Sequence, residues 1–189
     1  MLTTPGFQAS QNPSFTSDFL SKLRNIYSAE IYCLRRIPGV VDKIPRNELW
    51  RLLDNHLPVI ACRKNRLEKI FRELNVKSAG DGCLTFKKLI SKAGTIIYHS
   101  KIKDRNTKSF ELITTLLEIS IYRSYIYNHL DQLTSHYENP IISASLKRCL
   151  LEEDHFFHAL LSVKKQLSPI YYNLTVSSPL TTMGTQDFR

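Results

Sequence analysis

Apolar residues recur three and four positions apart along almost the whole chain, the spacing of one face of an α-helix. Phe15, Phe19, Leu23, Ile26, Tyr27, Cys33, Leu34 and Ile37 form a first stripe, with Ser17 or Asp18 placed to cap it. Pro38-Gly39 predicts a kink or stop there, with a ragged continuation to Ile44. A second stripe, over 47–74, runs through Leu49, Leu52, Leu53, Leu57, Ile60, Leu67, Ile70 and Phe71. Pro58 lies inside it and predicts a bend or break, because an interior proline removes a backbone hydrogen bond. Ser78-Ala79-Gly80-Asp81-Gly82 reads as a loop. A shorter helix is predicted over 84–100, a charged turn over 101–107 and a third long helix over 108–133. Asn139-Pro140 opens a fourth, which is predicted to reach about residue 167 and to stop before Pro169. Residues 170–176 read as a short, isolated extended segment.

This pattern is all-α. Two long hairpins are joined by a crossover carrying a short helix, the plan of a ferritin-like four-helix bundle rather than of an up-down-up-down one. The implied organisation is a flexible N-terminus (1–14), a helical bundle (15–167) and an extended or disordered tail (168–189). At 189 residues, 42% of them hydrophobic, the chain can bury the core of one domain. Cys33, Cys62, Cys83 and Cys149 are widely spaced without a C-x-x-C, which points to reduced thiols and a cytoplasmic setting. No leader-like apolar segment opens the chain, and no apolar run reaches the roughly 18 residues of a membrane span. The net charge of +9 permits weak binding to nucleic acid or an anionic surface. The bases are spread over many segments, however, so a solvated basic face is the simpler reading.

Chemistry concentrates at Glu152-Glu153-Asp154-His155. Glu152 and His155 lie almost one turn apart and share a helical face, the E-x-x-H arrangement of carboxylate-bridged metal centres in bundles. Glu30 sits on the apolar stripe of the first helix and Glu118 among Thr114, Ile121, Tyr122 and Tyr125 of the third. An acid on an apolar face is costly unless it is paired or metal-bound. Three such acids on three long helices, with one imidazole, point to a metal site or its remnant.

At these residues the chain resembles the YciE/YciF-type ferritin-like stress-response family, over most of residues 15–165. The likeness rests on Ile26-Tyr27-Ser28-Ala29-Glu30 followed by Leu34, Arg36, Ile37 and Pro38, and on His56-Leu57 followed by Arg66-Leu67-Glu68-Lys69-Ile70-Phe71. It continues in Cys83 with Leu89-Ile90, Glu118 with Tyr122, and Leu150 to Glu153. Metal ligation carries over at Glu30, Glu118 and Glu152, with His155 a ligand by local spacing. It does not carry over on the second helix, where Pro58 and Val59 stand in place of the family's acids and a register begun at Val59 ends at Cys62. Lys92 and Thr115 replace further acids.

A di-iron or di-manganese centre needs about four carboxylates and two imidazoles; this chain offers three and one. The expectation is therefore a degenerate site. Either one iron or manganese ion is held by Glu30, Glu118, Glu152 and His155, or no metal is bound and the Arg63 guanidinium neutralises the carboxylates. The leading function is that of a non-catalytic structural or interaction protein, with a homodimer implied by the resemblance. The alternative is a metal-binding protein or oxidase with a mononuclear or atypical centre. A nucleophilic pair of His56 and Cys62 is disfavoured, because six residues place them on different helix faces.

Overall fold

The computed structural model describes residues 13–45, 47–78, 82–99, 101–134 and 139–176, with side chains described from 17 to 168 within those spans. Five helices account for almost all of them: α1 (Pro13–Val41), α2 (Glu48–Glu73), α3 (Leu84–Tyr98), α4 (Arg105–Thr134) and α5 (Pro140–Val176). No strand occurs among the described residues. The protein is an all-α, ferritin-like bundle of four long helices with a short helix in the central crossover.

Residue pairs fix the topology. Tyr27 meets Glu68 and Glu30 meets Arg63, so α1 and α2 are antiparallel. Ser120 meets Glu153 and Asp131 meets Ser143, so α4 and α5 are antiparallel too. Asp18–His129 with Glu30–Arg123 sets α1 antiparallel to α4, and His56–Phe156 with Arg66–Cys149 does the same for α2 and α5. Hence α2 and α4 run the same way, and the chain must travel the length of the bundle between them. Helix α3 lies on that path and packs on α4 and α1. Phe19, Leu23, Ile26, Leu53, Ile60, Leu67, Leu112, Leu130, Leu146 and Leu160 are buried and weld the helices into one core.

Local chemistry sets the helix ends. The Asn47 side chain accepts from Trp50 N at 3.1 Å and caps α2. Asn139 accepts from Ile141 N and Ile142 N at 3.1 and 3.2 Å, with Pro140 in the first turn of α5. Asp104 accepts from Thr107 N at 2.6 Å, so α4 starts at Arg105, three residues ahead of the expected Lys108. Neither Ser17 nor Asp18 caps α1, which already begins at Pro13; Asp18 pairs instead with Lys22 at 2.7 Å and His129 at 3.4 Å.

Of the kink or stop expected at Pro38 and the bend or break expected at Pro58, the stop and the break do not occur, nor does the expected end before Pro169. Helix α1 passes Pro38 to Val41, α2 passes Pro58, and α5 runs beyond Pro169 to Val176, where an extended segment was expected. Pro38 and Pro58 sit at exposed positions, so their rings lie clear of the core. Near the end of α1, the Tyr98 hydroxyl also donates to Gly39 O at 2.6 Å, tying α3 to a final-turn carbonyl.

Helix α2 closes with Val76 N bonded to Phe71 O and Asn75 N bonded to Arg72 O, both at 3.0 Å. This is a Schellman motif, with Asn75 in the left-handed region at φ 52. A β-branched residue there costs about 1–2 kcal/mol, whereas glycine carries no such penalty. Asn75→Val should lower the free energy of urea unfolding by about that amount, and Asn75→Gly should hold or raise it. Equal loss in both variants would mean that the asparagine side chain matters rather than its backbone angle.

Candidate functional site: a buried charge quartet

Each of the four long helices places one charged side chain at the middle of the bundle: Glu30 from α1, Arg63 from α2, Arg123 from α4 and Glu153 from α5. All four are at most 1% exposed. The Arg63 Nη1 group donates to Glu153 Oε2, and its Nε lies 3.7 Å from Glu30 Oε1. Arg123 Nη2 donates to Glu30 Oε2 at 2.5 Å, while its Nε lies 3.3 Å from Glu153 Oε2. Each carboxylate thus faces both guanidiniums, and the formal charges cancel.

Neutral donors complete the carboxylates. Tyr127 OH donates to Glu30 Oε1 and Ser120 Oγ to Glu153 Oε1, both at 2.6 Å. Arg63 Nη2 donates to His56 Nε2 at 2.7 Å. Because a guanidinium only donates, His56 must accept, which leaves its ring proton on Nδ1. The His56 ring stacks on Phe156 with centroids 3.5 Å apart. Nε of both arginines makes no hydrogen bond, so the network rests on ion pairing as well as on hydrogen bonds, and its donors are not all satisfied.

The environment fixes the charges. Burial alone would raise Glu30, but Arg123 and Arg63 outweigh it and hold the carboxyl below its ordinary value of 4.5. For Arg63, burial and the neighbouring Arg123 oppose the charge, and Glu30 and Glu153 restore it. Burial, then the two guanidiniums, drive His56 far below its ordinary 6.5, so the ring is neutral. Burial pushes the Cys33 thiol up to about 12 and Cys149 up to about 11, so neither is a thiolate ligand or nucleophile.

Of the ligands expected from the sequence, only Glu30 reaches this centre. The inward acid of α5 is Glu153, not Glu152. Both fit a three-and-four spacing with Cys149 and Phe156, but the buried Leu146 and Leu160 fix the phase on Glu153. One position earlier is a rotation of about 100°. That turn puts Glu152 at the bundle surface, where Arg66 grips it with both terminal nitrogens at 2.7 Å and Arg148 adds a bond at 2.9 Å. His155 is exposed. Glu118 faces α3 and meets Lys92 Nζ at 2.8 and 2.7 Å. On α2 the inward residues are His56, Ile60, Arg63 and Leu67, while Pro58 and Cys62 are exposed and Val59 half-buried. His56 and Cys62 therefore face apart. Thr115 is buried, and its hydroxyl bonds back to Glu111 O at 3.2 Å.

The donor set does not fit a metal. Both central carboxylates are taken up by guanidiniums, and no three His, Cys, Asp or Glu side chains gather as a site would require among the described residues. Arg63 was expected at the centre, whereas Arg123, Glu153 and the inward His56 were not. Arg123 left a signal: a base in an apolar run, between Ile119 and Ile126-Tyr127.

His56 and Glu30 both predict loss of stability in acid. Below pH 6.5 the unfolded chain protonates His56 and the folded one does not, so the unfolded state binds more protons. The contribution of Glu30 is present above 4.5 and is lost as pH falls through its lower folded value. Urea unfolding across the acidic range should show a first decline below about pH 6.5, and His56→Gln should remove it while keeping an acceptor for Arg63. Persistence of that decline in the variant would assign it to another group.

Sequence and fold comparisons agree with this architecture. The family model "Domain of unknown function (DUF892)" matches residues 14–171. The structure superposes on the E. coli stress protein YciF with a TM-score of 0.78, at 20% identity over 84% of this chain and 99% of that one. It superposes on YcfI of Rhodopseudomonas palustris, to which a structural role has been ascribed, with a TM-score of 0.72, at 23% identity over 81% and 95% of the two chains. No curated protein matches. No described helix is long and apolar enough to cross a membrane. The chain belongs to the DUF892 family, with the YciF-type bundle that its sequence motifs resemble.

Proposed function

We propose that this protein is a non-catalytic ferritin-like bundle, a structural or interaction protein of a stress response. In it, the Glu30–Arg123–Glu153–Arg63 quartet stands where related bundles hold two metal ions. The carrying observation is that all four helices send a charged group to one buried point, and that the two carboxylates there meet two guanidiniums. Ferritin-like metal centres draw their ligands from four helices in the same way. Two carboxylates already neutralised offer no open coordination position. The stress context and the structural role are carried over from the stress protein YciF and from YcfI, to which a structural role has been ascribed. The homodimer and the cytoplasmic setting belong to the same proposal.

Elemental analysis of protein purified without chelator tests the reading, with sedimentation of the same preparation. We expect dimers holding far less than one iron or manganese per chain. Two ions per chain would overturn the replaced centre, and a monomer at every concentration would remove the dimer.

A structural quartet also makes a prediction about stability. Removing one member leaves an unpaired buried charge and costs about 3–5 kcal/mol. Arg63→Met alone should show that loss in urea unfolding. Replacing all four members together with apolar residues of similar volume should return stability to the parent level or above it. A fourfold variant as weak as the single one would mean that the ion pairs are themselves a net source of stability.

A further inference from the structure

The charge quartet uses two of the chain's bases, and most of the others lie at the surface. Four of them gather where the α1–α2 turn meets the α3–α4 turn. Lys43, Lys103, Arg105 and Lys108 line a depression of about 400 Å³, together with Ile44, Pro45, Ile97, Ser109 and Leu112. No acid lines it. None of the four cations has an ion-pair partner among the described residues. The adjacent acids are Asp42, which is exposed, and Asp104, whose carboxylate is engaged by Thr107 N.

Two further features separate this depression from a merely basic surface. Its floor is apolar and built from the core, since Ile44, Ile97 and Leu112 are all buried. Low-dielectric walls below one sign of charge focus the field and strengthen attraction to an opposite charge. Ser109 also lines the depression, is 5% exposed and has no side-chain hydrogen-bond partner among the described residues. A hydroxyl without a protein partner, on a residue that lines a basic hollow, is placed to bind a ligand oxygen.

We infer that this depression binds a small ligand carrying a condensed phosphate, a di- or triphosphate group. The charge count selects the class. One phosphate monoester carries about −1.5 to −2 and leaves half of four cations unmatched. A condensed phosphate carries more charge and spans several cations at once. The concave shape and the recessed Ser109 favour a compact anion over the extended backbone of a nucleic acid, whose phosphates are contacted by cations that project from a surface. The inference does not depend on the absence of metal at the bundle centre.

The test is calorimetric titration of the full chain with inorganic triphosphate at physiological ionic strength, with orthophosphate and a random-sequence duplex DNA in parallel. Triphosphate should bind at one site per chain. Lys103→Glu/Arg105→Glu should weaken it by about tenfold or more, in line with focused rather than general electrostatics. Ser109→Ala should weaken it by a few fold. Lys69→Glu/Lys147→Glu makes the same change in net charge at exposed positions of α2 and α5, and should leave the affinity within about twofold. Unchanged melting temperatures keep the variants comparable. Failure of triphosphate to bind, equal binding of orthophosphate, binding of DNA alone, or equal weakening in both double variants would each overturn the assignment.

Discussion

Four ionised side chains buried at one point constrain everything around them. Moving a carboxylate or guanidinium out of water costs several kcal/mol even after relaxation, and mutual attraction repays this only at close geometry. Glu30, Arg63, Arg123 and Glu153 come from four different helices, so the geometry must be supplied by the whole bundle at once. A slip of one residue in any helix turns its charged group by about 100° and leaves another unmatched in the core. The quartet thus fixes the rotation of each helix more sharply than exchangeable apolar contacts do. Leucines and isoleucines above and below it supply burial, whereas the quartet supplies register.

The surrounding fold supports that demand. Tyr127 and Ser120 lie four residues after and three residues before Arg123 on α4, and they hold the outer oxygens of the two carboxylates. His56 lies two turns before Arg63 on α2 and is kept neutral, so it accepts from the guanidinium without adding charge. Phe156, one turn after Glu153, stacks on that ring. Each long helix therefore contributes a charged group, α2 and α4 also contribute a neighbour bonded to one, and α5 contributes the ring that stacks on His56. The crossover through α3 permits this arrangement, because it sets α1 against α4 and α2 against α5.

Much of the fold was legible in the sequence, because helical periodicity, turn residues and the resemblance all pointed the same way. A kink or stop at Pro38, a bend or break at Pro58 and an end before Pro169 are what the sequence suggests; α1, α2 and α5 continue past these residues, and Pro38 and Pro58 occupy exposed positions. The site was half-legible. Glu30 lies on a stripe with one phase, between Ile26 and Cys33, and its burial could be read directly. Glu152 and Glu153 satisfy the same three-and-four spacing, and only the more distant Leu146 and Leu160 decide between them. Glu118 was misplaced because α4 is covered by α3 on one side and by the bundle on the other, so buried residues surround most of its circumference. A helix without one polar face has no phase to read, and Arg123 was hidden in it for the same reason.

The acids and bases of this chain explain one another. Every acid taken as a ligand candidate faces a base from another helix: Glu30 faces Arg123, Glu118 faces Lys92, and Glu152 faces Arg66. The acid found in place of Glu152, Glu153, faces Arg63. A dinuclear centre would set about four carboxylates against two divalent cations, whereas the quartet sets two against two monovalent ones. The two acids and two bases of the quartet thus meet one neutrality condition. The condition holds only in the core, where unpaired charge is costly. At the surface nothing enforces it, and the excess of 26 bases over 17 acids appears there, four of the bases lying where the two helix turns meet.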